Sequence, residues 1–345
     1  MSLIASAIGA VERAPVPDVL TRVGIDLLVG RASRRLRDTA DGVEAAFVDA
    51  MRHFPVALDT DAANAQHYEL PPEFFAHFLG KHRKYSCCIY PAGVNSLDDA
   101  ELAALRETVA HAGIADGQTI LELGCGWGSL SLYLASTFPG AAITSVSNSH
   151  SQREFITAEA ARRDLRNLTV VTCDMNEFDT PARFDRVVSV EMFEHMSNWR
   201  ALLERARGWL TDDGRMFLHV FNHRTRSYRF DTADPSDWIA HHFFTGGIMP
   251  AFDLPARFPD LFEVEAQWRW SGAEYERTAL DWLARFDAAR DDIMPILERV
   301  YGHDAELWRR RWRLFFLATA GLFGHAGGRE WGVGHYLLKP NRRAA

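Results

Sequence analysis

The chain has 345 residues, of which 47% are hydrophobic and 24% charged, with a formal net charge of −8. That apolar share excludes a disordered chain and is enough for one generous domain with helical additions. The acidic balance excludes a phosphate-tracking surface, so nucleic acid is not an expected partner.

From the N-terminus, "MSLIASAIGAVERAP" has no basic region ahead of its short apolar stretch and makes a poor signal peptide. Residues 18–58 read as helices, with Leu20, Val23, Leu27 and Leu28 on one face. An irregular aromatic segment, "HYELPPEFFAHFLGKHRKYSCCIYP", follows. Ser96 is placed to cap the helix "LDDAELAALRETVAHAG". From residue 118 the pattern alternates. "QTILELG", "AAITSVS", "LTVVTC", "DRVVSV" and "GRMFLHVF" read as strands, separated by helices such as "GSLSLYLASTF" and "WRALLERARGWL". Short, unbroken apolar strands joined by helices imply a parallel sheet covered on both faces.

After residue 222 the alternation stops. "FEVEAQWRW" is an expected strand, residues 276–323 are largely helical, and "WGVGHYLLKP" is a last strand. Within the helical stretch, "WRRRWR" at 308–313 reads as a solvated face. "LFFLATAGLFG" at 314–324 is about half a bilayer span and reads as a buried helix, with a membrane-surface role left open. The expected architecture is one α/β core, an N-terminal helical arm, and a helical cap inserted before the last strand. The cysteines Cys87, Cys88, Cys125 and Cys173 have no zinc-like spacing, so no metal site is predicted and a reduced cytoplasmic chain is expected.

"LELGCGWGS" joins the first strand of the alternating region to its helix. Gly124, Gly126 and Gly128 let the backbone turn with positive φ and approach a ligand closely. A dinucleotide fingerprint needs glycine where Ser129 stands. The spacing instead matches the first motif of Rossmann-like methyltransferases, which hold S-adenosylmethionine. After the second strand, Asn148 and Gln152 are neutral amides that can both donate to and accept from a ribose. After the third, Asp174 is a candidate for the adenine amine and Met175 for the ring, although Asp174 also suits a turn cap.

After the fourth strand, "VEMFEHM" brings Glu191, Glu194 and His195 together. Ligands of open parallel sheets bind beyond the carboxyl ends of the strands. In methyl transfer to an amine, Glu194 is expected to orient the ammonium and His195 to accept its proton. Glu191 is expected to bind donor or substrate, or to raise the basicity of its neighbours. Adjacent residues of an extended segment face opposite ways, so Glu194 and His195 need not both meet substrate. The aromatic residues Trp238, Phe243, Phe244, Trp268, Trp270, Tyr275, Trp282 and Trp331 are singly ordinary core and together a candidate pocket wall.

From about residue 64 onward the chain resembles the family of bacterial cyclopropane fatty acid synthases, and within it the plant coclaurine and pavine N-methyltransferases. The resemblance rests on "HYELPPEFF", "KYSCCIY", "LELGCGWGSL", "VSNSHSQ", "VEMFEHM", "HHFFTGGIMP", "GAEYERT" and "REWGVGHYLL". It implies a Rossmann-like class I methyltransferase fold with a mostly parallel seven-stranded sheet. It also implies S-adenosylmethionine as donor, with contacts at Tyr85, Ser86, Gly124, Gly126, Asn148, Gln152, Asp174 and Met175. The N-methyltransferase branch implies catalysis by Glu191, Glu194 and His195. The lipid branch implies a bicarbonate held by Cys87, Glu194, His219 and Tyr275. "HHFFTGGIMP" favours N-methylation of a small cyclic or aromatic amine over methylene transfer to an unsaturated lipid chain. A non-enzymatic S-adenosylmethionine sensor is the rival of a different class, and the retained acid–imidazole set speaks against it. The expected parts are an arm and donor-covering segment at 1–95, a donor-binding core at 96–222, and a substrate cap with the final strands at 223–345. Whether residues 1–60 cover the site or pair two copies into a homodimer stays open.

Overall fold

The computed structural model of the protein describes residues 3–38, 42–58, 70–234 and 237–341. His67, Tyr68 and Glu69, which open the block "HYELPPEFF", lie outside the described residues.

The N-terminal arm holds α1 (Leu3–Arg13), α2 (Asp18–Arg37) and α3 (Val43–Ala50). A short helix α4 (Pro72–Ala76) and α5 (Leu97–Ala112) lead into the core. Ser96 caps α5 as expected, its hydroxyl accepting from the Asp99 N–H at 3.2 Å. Inside α5, the fully buried Glu101 accepts from the backbone N–H groups of Gly80, His82 and Lys84. It thereby ties the 80–84 loop, which feeds the site, to a rigid helix.

The core alternates β1 (Thr119–Leu123), α6 (Ser129–Thr137), β2 (Ala142–Ser147), α7 (His150–Arg162), β3 (Leu168–Thr172), β4 (Phe184–Val190), α8 (Trp199–Trp209) and β5 (Leu210–His223). After α9 (Trp238–His242) come β6 (Phe262–Ser271), the cap helices α10 (Gly272–Ala288), α11 (Arg290–Tyr301) and α12 (Ala305–Gly328), and β7 (Trp331–Pro340). The seven strands form one sheet in the order β3-β2-β1-β4-β5-β7-β6. Strands β1 to β5 pair in parallel, and β7 is antiparallel to both β5 and β6. The expected mostly parallel, seven-stranded sheet and the cap inserted before the last strand are therefore present. Strand order reverses between β1 and β4, which opens a crevice at their carboxyl ends.

Two sequence expectations are corrected. The apolar face of α2 does not turn inward: Leu20 is 62%, Val23 52%, Leu27 69% and Leu28 37% exposed. The opposite stripe, Thr21, Ile25, Val29, Ser33 and Leu36, is the buried one. It lies on α12, where a Cβ on Gly321 would come within 2.4 Å of Ile25 Cγ2, so only glycine permits that approach. Nor is "WRRRWR" a solvated face. Trp312 is fully buried, and Arg311 and Arg313 clamp the arm through Glu12 and Asp18 at 3.0 Å each. The apolar run 314–324 is a buried packing helix, with Phe316, Leu317, Ala320 and Phe323 at most 4% exposed. Among the described residues no helix is long and apolar enough to cross a membrane.

Candidate active site

A cavity occupies the crevice at the ends of β1 and β4 and reaches under the segment 83–86 that precedes α5. One end is built on the turn after β1. Gly124 and Gly128 both have φ of +77°, and a Cβ there would meet Met192 at 2.5 Å and Ile156 at 2.6 Å. Gly126, with φ of +51°, has open space where its Cβ would be, so its bare backbone faces the cavity.

Tyr85, Ser86, Gly124, Gly126, Asn148, Gln152 and Met175 all line this cavity. Gln152 is held by Ser147, whose hydroxyl donates to its Oε1 at 2.6 Å; its Nε2 is buried with no partner. The Ser129 hydroxyl, also on the cavity, is likewise buried and unpartnered. Unsatisfied donors facing a cavity fit a polar ligand of the size of S-adenosylmethionine. Asp174 does not line the cavity; its carboxylate closes a turn by accepting from the Asn176 N–H at 2.7 Å. Its neighbours Cys173 and Met175 are the ones that do.

The other end is built on the segment after β4. Glu191 has φ of +46°, a left-handed conformation that a non-glycine residue adopts at a cost of about 1–3 kcal/mol. That turn aims its side chain into a polar cluster. Oε1 accepts from the Cys87 N–H at 2.8 Å and faces His219 Nε2 at 3.1 Å, while Oε2 accepts from the Tyr275 hydroxyl at 2.7 Å. Lys84, 2% exposed, donates to the Ser86 hydroxyl and the Cys87 carbonyl and supplies the nearby positive charge. Burial pushes the Glu191 carboxyl up, whereas Lys84, the Cys87 N–H and the Tyr275 hydroxyl pull it back down.

The three residues of "FEH" form a 3₁₀ turn, Phe193–His195, which separates the expected trio. Glu191 and His195 line the cavity; Glu194 does not. His195 lies tilted against Phe244, with ring centroids 4.2 Å apart and planes at 33°. Glu194 is fully buried, its Oε1 accepting from the Phe221 N–H at 2.6 Å and its Oε2 without a partner. Burial, then the Glu191 charge, pushes its carboxyl well above the usual carboxylate range. The expectation that Glu194 orients an ammonium thus loses its geometric basis, and Glu191 stands in that position instead.

The residues that the resemblance offers to bicarbonate also have other work. The Cys87 N–H, His219 and Tyr275 converge on the Glu191 carboxylate itself. A second anion at that focus would meet a buried carboxylate, so the set does not fit bicarbonate. Burial pushes the Cys87 thiol up, which leaves it a neutral, fully buried side chain.

Most of the aromatic candidates are core. Phe243, Trp282 and Trp331 are at most 1% exposed, and Trp238 and Trp270 are below 9%. Phe244, with Phe221 and Phe230 beside it, is the ring that reaches the His195 end. Sequence reasoning missed Lys84, Trp127, Ser129 and Thr245, all on the cavity, and the buried Glu122 beneath the glycine turn. Glu122 accepts from the Ser145 hydroxyl at 2.8 Å and from Ser131. Lys84 stands directly before Tyr85 and Ser86, and Glu122 opens the glycine motif, so adjacency was the available signal.

Comparison with known proteins gives the family and the fold. Residues 58–326 match the family model described as mycolic acid cyclopropane synthetase. An (S)-coclaurine N-methyltransferase of Thalictrum flavum subsp. glaucum is 35% identical over 295 residues, covering 84% of this chain and 82% of the relative. The cyclopropane-fatty-acyl-phospholipid synthase of Escherichia coli (strain K12) is 27% identical over 263 residues, covering 75% of this chain and 63% of that one. Among solved structures, coclaurine N-methyltransferase bound to N-methylheliamine and S-adenosylhomocysteine superposes with a TM-score of 0.90 at 33% identity. That match covers 98% of this chain and all of the other.

Proposed function

Because the chain belongs to the mycolic acid cyclopropane synthetase family, we propose that it is an S-adenosylmethionine-dependent methyltransferase that methylates the nitrogen of a small cyclic or aromatic amine. The observation that carries the amine reading is an acid on the cavity wall, Glu191, whose carboxylate is held by Cys87, His219 and Tyr275.

Tyr85, Ser86, Gly124, Gly126, Asn148, Gln152 and Met175 would hold the donor, with Asp174 shaping the turn beside Met175. When bound, S-adenosylmethionine supplies an electrophilic methyl group on a positively charged sulfur. The protein's own work is on the acceptor. A protonated amine has no lone pair, so its proton must leave before nitrogen attacks. Glu191 offers a carboxylate for the ammonium, and His195, across the same cavity wall, takes the proton directly or through water. Phe244 gives the His195 end an apolar ring face against which a flat cation packs. Closing nitrogen and methyl to about 3–3.5 Å supplies most of the remaining rate. No step runs through bicarbonate, because three of its four expected ligands, Cys87, His219 and Tyr275, hold Glu191.

The test is a panel of cyclic secondary amines set beside vesicles of unsaturated phospholipid, with release of S-adenosylhomocysteine as readout. Turnover on an amine with an N-methylated product is the expected result. Turnover on the lipid alone would replace this reading with methylene transfer to an acyl chain, the activity that the Escherichia coli relative's name describes.

The reading extends to setting and assembly. The four cysteines are free thiols, which suits a reducing, cytoplasmic compartment. Residues 1–95, 96–222 and 223–345 act as arm with donor cover, donor-binding core and substrate cap. The exposed strip of Val19, Leu20, Val23 and Leu27 on α2 is covered by a second copy of this chain. Light scattering is expected to find a dimer in the parent and a monomer in the Leu20→Lys/Leu27→Lys variant. A monomeric parent at the same concentration would dispose of the pairing.

A further inference from the structure

Behind Glu191 the structure holds a line of three imidazoles that leads out of the site. His219 on β5 and His335 on β7 are directly opposite one another across the antiparallel pair, so their side chains share one face of the sheet. His219 Nδ1 lies 2.8 Å from His335 Nε2, and His335 Nδ1 lies 2.8 Å from His111 Nδ1 on α5. His111 Nε2 faces Glu107 at 3.8 Å. His219 and His335 are fully buried, whereas the His111 and Glu107 side chains are 15% and 34% exposed. Neither His335 nor His111 lines the cavity.

We propose that His335 and His111 are positioning residues of the reaction, which hold His219 in the tautomer that donates to Glu191. The argument is one of counting donors. A neutral imidazole has one N–H and one bare nitrogen. Burial, joined at His335 by its neighbours, keeps both inner rings neutral. An ionised Glu191 accepts only, so His219 must present Nε2–H to it and a bare Nδ1 to His335. His335 must then donate from Nε2 and accept at Nδ1, and His111 must donate from Nδ1. The bare nitrogen is thereby passed to His111 Nε2, at the rim beside Glu107. Without the outer two rings, His219 Nδ1 has no donor to accept from, and Glu191 alone is left to select the tautomer.

The rings are fixed in place by packing. His111 stacks on Trp268 with centroids 3.8 Å apart and planes at 7°, and Trp270 lies 4.2 Å from His335. The Trp270 indole N–H donates to Glu107 at 2.8 Å, which ties the outer end of the line to the same strand. The charged and titratable groups around Glu191 are Lys84, Tyr275, Cys87, His219 and Glu194. Around His111 they are Glu107 and His335. Protonation of His111 adds a proton at Nε2 and leaves the inward order of donors unchanged, so mild acid does not break the line.

The inference rests on the proposed role of Glu191, and its first test needs no turnover. Nitrogen-15 shifts of the imidazoles are expected to show His219 protonated at Nε2 in the parent and at Nδ1 in part of the His335→Phe population. Protonation of parent His219 at Nδ1 would overturn the proposal even if the amine reading held. The second test is kinetic. His335→Phe is expected to lower kcat/KM about tenfold and move its acid limb up by about one pH unit, with donor affinity unchanged. His335→Gln, whose amide donates on one side and accepts on the other, is expected to restore the parent limb. Loss of thermal stability in both variants with the same acid limb as the parent would mean the ring only packs, and would refute the assignment. An amine panel without turnover, beside a His219 Nε2–H signal in the parent, would sink the substrate reading and leave the tautomer line standing.

Discussion

Replacing Glu191 with glutamine is expected to lower kcat by about 10²–10⁴-fold while S-adenosylmethionine affinity stays close to that of the parent. Glutamine keeps the shape of the side chain. Its amide oxygen can still accept from the Cys87 N–H, the contact made at 2.8 Å by Glu191. What it removes is the negative charge that the site otherwise pairs with Lys84 and would present to an ammonium. The neighbouring Glu194→Gln variant is the control. Its carboxyl is fully buried, bonded to the Phe221 N–H and off the cavity, and burial pushes it well up, so an amide replaces it with little change. A loss below about tenfold is expected there. Single-turnover kinetics, with calorimetry for the donor, separate the two effects. A collapse in Glu194→Gln beside a fully active Glu191→Gln would reverse the assignment of roles. The pH dependence has a definite sign. Burial raises the Glu191 carboxyl, so kcat/KM is expected to rise with pH along an acid limb set above the usual carboxylate range.

Trp312→Ala is expected to reduce folding stability by about 3–5 kcal/mol. Trp312 is fully buried at the centre of the cap, with the rings of Phe74, Phe78, Phe243 and Phe316 between 5.1 and 5.9 Å away. Its indole nitrogen has no partner, so the loss is one of packing, and Trp312→Phe is expected to cost much less. The same cluster reaches the donor end: Phe75 packs on Trp127 at 4.9 Å and on Tyr85 at 5.6 Å, and both of those line the cavity. A weaker grip on S-adenosylmethionine should therefore accompany the lost stability. Denaturant titration reads the first effect through a shifted midpoint at constant slope, and calorimetry reads the second. If the midpoint did not move, the cap would not be the unit that holds the donor cover down.

Several features of the site were legible before any coordinates. The glycine turn sits after β1, and seven of the eight donor positions line one cavity, because short local motifs carry their own geometry. The eighth, Asp174, suits a turn cap by residue type and forms one. The trio after β4 was found but not sorted. Sorting it required the left-handed backbone at Glu191 and the 3₁₀ turn that buries Glu194, and neither follows from residue type. Lys84 as a buried counter-charge was not visible either, since it becomes one only when its loop meets Glu191, a strand end far along the chain.

The amino-acid order by itself determined the alternation of strand and helix, the glycine turn, the cap before the last strand and the grouping of two acids and an imidazole after β4. Those rest on periods and motifs a few residues long, which any stretch of chain expresses locally. Only the tertiary structure decided which apolar stripe of α2 is covered, which acid of the trio lines the cavity, and that three histidines from α5, β5 and β7 stand in line. A period records which side chains share a face, but it does not record what that face will touch. Charge state and tautomer are fixed by partners brought together from distant segments, and those partners exist only once the sheet has closed.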